Sequence, residues 1–299
     1  QEDYTNNPAF QRTTDMMKRM GVNSIMVDLT VASSRNLMPW PTKVGRGTEK
    51  NFLRPVLRAI KSQGFEAYVH LIHNISPFET VKWHYPEEET SRYPNMKQYP
   101  SIIHGHHFRD NWLALQREIM ANGADGVGIS SDEQYYRGHF METFPEDDPA
   151  RKLYRQRYGE ELPGTEEDTL AYRRWIRMRH EGICDLFGYW TEELKKQYPD
   201  IYTYTLLMHY AHVNSYIEGT GIPVEMLGAR GGITDLGADY MGPYGVFKAA
   251  AANGWRGATM TYNGNLGARN PDIHFYATTL WNWMYGGSSA YYWRFNYVV

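Results

Sequence analysis

Apolar residues recur along the chain with two alternating spacings. In some segments they return every three or four residues, as in an amphipathic helix, and in others they form short runs typical of a buried strand. The predicted strands are residues 22–29, 65–72, 125–131, 201–207, 237–241, 256–262 and 288–295. The predicted helices are residues 8–20, 51–63, 108–122, 165–197, 247–253 and 274–285, the fourth with a capping-box-like start at Thr165 and Asp168. Helix and strand therefore alternate along the chain.

This alternation predicts a parallel sheet with helices outside it, either closed as a (β/α)8 barrel or open and doubly wound. No glycine-rich nucleotide-binding motif follows any strand, which removes the commonest reason for a doubly wound fold. The sequence therefore favours an α/β fold, the (β/α)8 TIM barrel. Because seven strands are visible, the first is N-terminal to the chain, or lies within residues 1–6, or residues 223–227 form the eighth.

The ends of the chain indicate its context. It begins at Gln1 and not at Met, which is typical of a mature form after signal-peptide removal or of an excised fragment. It closes on a strand-like segment without polar fraying. We expect residues 1–299 to be a single catalytic barrel domain of a longer protein that is secreted or periplasmic.

Composition narrows the range of partners. The formal net charge is -3, which gives no basic field to hold a polyanion, and we expect no nucleic-acid partner. No window approaches the roughly 18–20 uninterrupted apolar residues of a membrane-spanning helix, so we expect no membrane partner. The single cysteine, Cys184, excludes an intrachain disulfide and a cysteine-based metal site. The oligomeric state stays open.

The longest loops all follow predicted strands. They are residues 31–50, 73–107, 135–163 and 208–232. In a (β/α)8 barrel these loops lie at the carboxyl ends of the strands, where active sites of this fold form. The functional site is therefore predicted at this end of the barrel, which is called the mouth below.

Two adjacent carboxylates, Asp132 and Glu133, follow the third predicted strand. A carboxylate at the carboxyl end of a barrel strand points into the mouth, where it can protonate a glycosidic oxygen. A like charge at Asp132 raises the pKa of its neighbour and keeps that acid protonated near neutral pH. Glu133 is therefore the candidate general acid/base, with Asp132 beside it. The alternative is that the pair caps the next turn or pairs with Arg137.

Aromatic residues form 15% of the chain, and many lie at predicted strand ends or in the loops after them. Their faces are large and apolar while their hydroxyl or indole tips form hydrogen bonds, which suits the mixed surface of a sugar ring. Together with nearby polar residues they form the predicted substrate contacts, which are Asp28, Trp40, His70, His73, Asn74, Tyr136, His209, Tyr240, Tyr262, Asn263 and Trp293. Packing in the core is the alternative role for each aromatic residue and for His70.

Three histidines, His104, His106 and His107, are clustered in sequence. His106 and His107 are adjacent, which is too close to bind one ion comfortably, and hydrogen-bonding or cationic roles are commoner. No metal site and no cofactor are therefore predicted. A serine hydrolase of the nucleophile-elbow type is disfavoured, because no G-x-S-x-G motif occurs.

Several segments resemble the retaining β-galactosidases of glycoside hydrolase family 42, and more loosely the clan of (β/α)8 retaining glycosidases that contains them. Residues 16–23, with Met17, Gly21 and Asn23 at matching spacing, are similar to that family's M-x-x-x-G-x-N entry to strand two. Residues 83–87 are similar to its P-x-W…Y-P-E loop, and Asn270-Pro271-Asp272 and Tyr292-Trp293-Arg294 to its seventh loop and F-x-W-R eighth strand. The resemblance implies a barrel that cleaves a carbohydrate, either a galactoside or a polysaccharide fragment.

The resemblance also implies roles for single residues. The family's acid/base is the Glu of an Asn-Glu pair that closes strand four, and Glu133 matches it while Asp132 replaces the Asn. That Asn amide binds the sugar 2-hydroxyl, whereas a carboxylate accepts hydrogen bonds and donates none unless protonated. The family's nucleophile, a Glu after Met at the end of strand seven, falls on Thr261.

Four explanations of the missing nucleophile stay open. A carboxylate elsewhere at the mouth takes its place, with Asp239 as first choice and Glu225 or Asp272 behind it; or the enzyme is inverting, with two carboxyls about 6.5–9.5 Å apart around a water. Alternatively, Tyr262 is the nucleophile, or the barrel binds sugar without cleaving it. We favour a glycoside hydrolase with Glu133 as acid/base and Asp239 as its partner. The alternative is an inactive carbohydrate-binding barrel.

Overall fold

The structure of the chain is a computed structural model that describes residues 4–19, 21–29, 37–72, 90–93, 96–100, 106–130, 149–162, 169–207, 226–227, 230, 233–239, 250–262, 284 and 289–293. Within these ranges the strands are β1 (Ser24–Asp28), β2 (Leu37–Met38), β3 (Arg46–Gly47), β4 (Glu66–Ile72), β5 (Thr90–Tyr93), β6 (Met96–Pro100), β7 (Gly126–Ser130), β8 (Tyr202–Leu207), β9 (Asp235–Asp239), β10 (Arg256–Tyr262) and β11 (Ser289–Trp293). The helices are α1 (Pro8–Arg19), α2 (Leu53–Ser62), α3 (His106–Ala121), α4 (Pro149–Tyr158) and α5 (Leu170–Lys195).

The strands of the main sheet lie side by side in the order in which they occur in the sequence. Among the described residues it has seven strands in the order β1-β4-β7-β8-β9-β10-β11, and every neighbouring pair is parallel. A doubly wound sheet reverses its strand order at a switch point, whereas a barrel adds each new strand on the same side. The strand order therefore agrees with the predicted barrel and excludes the doubly wound alternative.

One face of the sheet packs against the helices. Ala67, Val69 and Val127 are buried in the same core cluster as Leu57 of α2 and Leu115 of α3. Side chains alternate between the two faces of a strand, so the residues between these positions belong to the opposite face, the interior of the barrel. The main hydrophobic core thus lies between the sheet and the surrounding helices.

The interior face carries aromatic rings above small residues. Tyr68 on β4 and Tyr202 on β8 meet edge to face, with ring centroids 5.7 Å apart. These strands are not neighbours, and the rings reach each other because β7 has Gly126 at the position between them. A Cβ atom at Gly126 would lie 2.5 Å from the Tyr202 carbonyl oxygen and 2.7 Å from Tyr68 Cδ1, so the interior leaves no space for a side chain there.

The longest helix, α5, begins later than the sequence predicts. Its N-cap is Thr169, whose hydroxyl oxygen accepts a hydrogen bond from the backbone N–H of Tyr172 at 3.1 Å. The predicted start at Thr165 and Asp168 falls outside the described residues. Thr169 has the same capping chemistry as Thr165, and this local ambiguity explains the displaced boundary.

Five of the described elements lie in three segments that the sequence presents as loops. The connection after β1 contains the pair β2 and β3, and the connection after β4 contains the antiparallel hairpin β5–β6. The connection after β7 contains α4. The hairpin strands are only four and five residues long, and β2 and β3 only two, so they are too short to show a clear hydrophobic period. The connections at the mouth therefore have structure of their own.

Gln116 in α3 is fully buried without a hydrogen-bond partner for its amide nitrogen or oxygen anywhere in the described part of the chain. A buried polar group of this kind costs about 1–3 kcal/mol. Gln116→Met keeps the volume and removes that cost, so it is expected to raise the free energy of unfolding by about 1–2 kcal/mol in urea titrations. The exposed Gln156 gives the control, because Gln156→Met should change the free energy of unfolding by less than about 0.5 kcal/mol. A lower stability of Gln116→Met would contradict this reading.

Candidate functional site

The carboxyl ends of the parallel strands form the mouth. The strands of the main sheet end at Asp28, Ile72, Ser130, Leu207, Asp239, Tyr262 and Trp293. Four of the predicted site residues, Asp28, Asp239, Tyr262 and Trp293, are thus the last residues of their strands. Because parallel strands end at the same edge of the sheet, their backbones surround one opening.

Strand register assigns these four positions to the interior face. The register row that contains the interior residue His70 also contains Asp28, Gly128, Tyr204, Asp235 and Arg256. Alternate positions along a strand share a face, so Asp239 of β9 and Tyr262 of β10 belong to the same face as this row. Trp293 belongs to it because it pairs with Tyr262. The positions of Asp28, Asp239, Tyr262 and Trp293, predicted for the partner carboxylate and for sugar contacts, therefore share the face that lines the barrel.

His70 lies inside the barrel, one pleat below the end of β4. It is 1% exposed, and its ring centroid is 6.2 Å from that of Tyr204. The two rings meet over Gly128, where a Cβ atom would lie 3.0 Å from Tyr204 Cδ1 and 3.1 Å from His70 Nδ1. His70 and Tyr204 thus close the interior beneath the mouth, and a direct substrate contact of His70 stays a prediction.

The position that corresponds to the nucleophile of family 42 belongs to the other face. Thr261 pairs with Tyr292 of β11, whereas Met260 and Tyr262 pair with Tyr291 and Trp293. The alternation of the strand puts Thr261 on the helix side and Tyr262 on the interior side. Tyr262, and not Thr261, therefore holds the last interior-face position of β10.

Trp40 is placed away from this face. It is 1% exposed within the core cluster, and its indole N–H donates a hydrogen bond of 2.7 Å to Glu118 of α3. The same carboxylate accepts hydrogen bonds from the Thr42 hydroxyl at 2.6 Å and the Lys43 backbone N–H at 2.9 Å. Trp40 therefore joins the connection after β1 to α3, and its buried ring offers no face to a sugar in the described structure.

The remaining predicted site residues fall outside the described residues. They are Asp132, Glu133, His73, Asn74, Tyr136, His209, Tyr240 and Asn263, together with the alternative carboxylates Glu225 and Asp272. β7 ends at Ser130, just before Asp132 and Glu133 in sequence. The roles of these residues stay predictions.

A second cluster of charged residues lies where α4 packs on the first turns of α5. The Tyr154 hydroxyl oxygen lies 2.8 Å from the Glu160 carboxylate and 2.9 Å from the Ala171 carbonyl oxygen, so these two acceptors share its single hydrogen. Arg174 donates to the same Glu160 carboxylate at 2.9 Å. Burial, followed by the hydrogen bond to Glu160, raises the pKa of Tyr154 well above its usual range. These contacts fix the end of the connection after β7 against α5.

The centre of this region is Glu181, whose side chain is only 8% exposed. Arg157 of α4 pairs with it, Arg177 donates a hydrogen bond of 2.9 Å, and a guanidinium nitrogen of Arg230 lies 3.6 Å away. Arg230, in the connection between β8 and β9, also forms a two-pronged pair with Asp185 at 2.6 and 2.7 Å. Glu181 thus contacts arginines from three segments of the chain.

Sequence reasoning does not find Glu181. The four-residue spacing of Arg177 and Glu181 indicates a local helical ion pair and nothing more. The arginine-rich stretches 151–157 and 173–179 were a signal that α4 and α5 meet through charges. The contact with Arg230 joins positions far apart in sequence, and only the fold brings them together.

Burial disfavours the charged form of Glu181, but hydrogen bonds from Arg177 and Arg157 outweigh it and hold its pKa below the ordinary 4.5. A carboxylate with a lowered folded-state pKa stabilises the fold above its unfolded pKa and loses that contribution as the pH falls through the folded-state value. We expect Glu181→Gln to lower Tm at pH 7, with a gap to the wild type that narrows below about pH 4.5. A gap independent of pH in thermal melts from pH 7 to 3 would contradict this.

Neither Cys184 nor a group of metal-ligating side chains gives a second reactive site among the described residues. Cys184 is buried, and burial raises the pKa of its thiol to about 12, which keeps it protonated and inert. In the described ranges no three His, Cys, Asp or Glu side chains are grouped so that they could hold a metal ion.

The helices in the described ranges were also compared with membrane-spanning helices in length and apolar character, and none is long and apolar enough to cross a membrane.

Comparison with known proteins gives matches at the level of structure. No family model matches the chain, and no curated protein matches it at a significant level. The PgaB (BpsB) glycoside hydrolase domain from Bordetella bronchiseptica matches with a TM-score of 0.67 and 13% identity, over 99% of this chain and 92% of that one. The catalytic domain of a beta-amylase from Paenibacillus polymyxa matches with a TM-score of 0.68 and 10% identity, over 100% and 91%. A beta-galactosidase from Halorubrum lacusprofundi matches with a TM-score of 0.64 and 11% identity, over 95% of this chain and half of that one.

These structures are (β/α)8 glycoside hydrolases, and the chain has their fold. The predicted fold class is therefore confirmed: this is an α/β protein with a (β/α)8 barrel like that of glycoside hydrolases. Likeness at this level of identity establishes the fold and leaves the activity to be argued from the site.

Proposed function

We propose that the protein hydrolyses a glycosidic bond at the mouth of the barrel, with Glu133 as general acid/base. The observation that carries the proposal is the register of the main sheet. Asp28, Asp239, Tyr262 and Trp293 all end their strands on the interior face. Carboxylates and aromatic rings around one opening are what a glycosidase needs to bind and cleave a sugar.

Glu133 follows β7 in sequence, and β7 lies in the sheet between β4, which ends at Ile72, and β8, which ends at Leu207. As the acid it donates its proton to the glycosidic oxygen while the bond from that oxygen to the anomeric carbon breaks. The proposed role of Asp132, adjacent in sequence, is to favour the protonated form of Glu133, because a like charge nearby disfavours a second carboxylate.

Asp239 is the proposed partner carboxylate. It ends β9, and its position shares the interior face with Tyr262 on the neighbouring strand. In a retaining enzyme it attacks the anomeric carbon, and water then cleaves the ester with Glu133 as base. In an inverting enzyme it instead takes a proton from the attacking water. NMR analysis of the first product anomer separates these two routes.

The substrate class we propose is a galactoside or a polysaccharide fragment. The support is the resemblance of residues 16–23, 83–87 and 292–294 to glycoside hydrolase family 42, together with the aromatic positions at the mouth. A panel of aryl glycosides and polysaccharides tests this. Release of aryl alcohol or new reducing ends from any member supports hydrolysis, and the preferred member identifies the sugar.

A carbohydrate-binding barrel without catalysis is the second candidate. The observation that favours it is the end of β10, where Thr261 lies on the helix-side face and no carboxylate ends the strand. Calorimetric titration with the same panel distinguishes the two candidates. A saccharide that binds saturably and is recovered intact favours the binder, whereas turnover of that saccharide favours the hydrolase.

A further inference from the structure

The elements around Glu181 project from the barrel on the side of the mouth. α3 and α5 both return the chain from strand carboxyl ends, so they run in the same direction. Trp190, in the last two turns of α5, donates its indole N–H to the carbonyl of Arg109 in the first turn of α3, at 2.8 Å. Most of α5 therefore extends beyond the start of α3, past the strand ends. Glu181 lies on this extension.

Three connections at the mouth meet around α4 and α5. α4 belongs to the connection after β7, which also contains Asp132 and Glu133, and it contacts β5 in the connection after β4. Arg230 belongs to the connection after β8, which also contains His209. Arg157 and Arg230 bring two of these connections to the same carboxylate, Glu181.

We infer that Glu181 is a positioning residue for the proposed active site, because it holds the connections after β7 and β8 against α5. This inference rests on the proposed function, since the connections matter through the site residues they contain. Glu181 is the one buried carboxylate among the described side chains. When a buried carboxylate is removed, the charged side chains that pair with it are left without a compensating charge. Arg157 and Arg230 then lose their common anchor, and the two connections shift independently.

Glu181 has a matched control in the same region. Glu161 forms a two-pronged pair with Arg155 of α4 at 2.6 and 2.7 Å, but its side chain is 62% exposed and both residues belong to one connection. Glu161→Gln therefore removes one carboxylate charge near α4 without separating α4 from α5. Exposed pairs contribute little, so this variant should behave like the wild type.

The first measurement is hydrogen exchange, which needs no substrate. Glu181→Gln should speed the exchange of α4 amides by about tenfold or more, while α2 amides stay at wild-type rates. Glu161→Gln should leave both helices unchanged. If Glu181→Gln also leaves α4 unchanged, the inference is overturned whether or not the protein proves to be a hydrolase.

The second measurement is the split between kcat and KM well below Tm. Misplacement of a catalytic group by about 1 Å costs on the order of a hundredfold in rate, so kcat of Glu181→Gln should fall by roughly 10- to 100-fold with a smaller change in KM. Glu181→Asp, which keeps the charge, should recover part of kcat. A folded Glu181→Gln with wild-type kcat and KM would reduce Glu181 to a purely structural residue and overturn the inference.

Two further experiments distinguish a failure of this inference from a failure of the proposed function. If Glu181→Gln fails to fold, Arg230→Met removes the contacts of the connection after β8 with Glu181 and Asp185 and leaves the Arg157–Glu181 pair in place, and the same fall in kcat is expected. If the wild type binds a saccharide without cleaving it, the proposed function fails. Affinity then replaces kcat, and Glu181→Gln should raise Kd by about tenfold while Glu161→Gln does not. An unchanged Kd would overturn the inference.

Discussion

Glu133→Gln is expected to lower kcat by about 10²- to 10⁴-fold on glycosides with poor leaving groups, because the amide cannot donate the proton that the departing oxygen needs. The same substitution should have a much smaller effect on the bond-breaking step of an aryl glycoside whose phenolate is stable without protonation. Binding should be retained, since the side chain keeps its size and most of its hydrogen-bonding capacity. Steady-state rates across aryl glycosides of graded phenol pKa give the measurement.

This series has an internal control. A smaller fraction of correctly folded enzyme would lower the rate equally for all leaving groups. Loss of the acid instead makes the rate depend more steeply on the phenol pKa. The exposed Glu192 of α5 supplies a second control, because Glu192→Gln removes one surface charge that is not part of the proposed site. Equal rates for wild type and Glu133→Gln on a poor leaving group would remove Glu133 from the mechanism.

Gly126→Ala is expected to destabilise the barrel by about 3 kcal/mol. The added Cβ atom would lie 2.5 Å from the backbone oxygen of Tyr202, and a backbone atom cannot move without disturbing the pairing of β7 and β8. Gly128→Ala is the matched variant one pleat further along β7. Its Cβ would meet only side-chain and Cα atoms at 3.0 to 3.5 Å, which small ring movements can relieve.

We therefore expect Gly128→Ala to cost only about 1 kcal/mol, in part because alanine also reduces the entropy of the unfolded chain. Urea denaturation of both variants measures the difference. If Gly126→Ala is as stable as the wild type, or less destabilising than Gly128→Ala, the packing of rings over these glycines is not as described.

The helix and strand pattern could be predicted because the barrel repeats a simple rule. Apolar residues at helical spacing end at Gly21, Gly64 and Gly123, which have φ of +76°, +85° and +103° and stop α1, α2 and α3. The strands that follow are short apolar runs covered by those helices. A local pattern is sufficient here because each unit packs against its neighbours in sequence.

The roles of individual aromatic residues could not be predicted in this way. Trp40 lies just after β2 and Trp293 is the last residue of β11, and the sequence predicts both as sugar contacts. Trp40 is nevertheless hydrogen-bonded to Glu118 in the core, whereas the position of Trp293 belongs to the interior face. The difference depends on register and on a hydrogen bond between residues 78 positions apart. Glu181 is a similar case, because its contact with Arg230 exists only in the folded chain.

The central claim is that the mouth cleaves the saccharide it binds, with Glu133 as the acid. The most direct measurement is product analysis of the saccharide that binds most tightly, incubated in parallel with the wild type and with Glu133→Gln. We predict that each wild-type molecule cleaves many bonds. We also predict that the variant binds the saccharide with unchanged Kd and leaves it intact. A wild type that saturates with the saccharide and returns it uncut, or a variant that cleaves it equally fast, would contradict the claim.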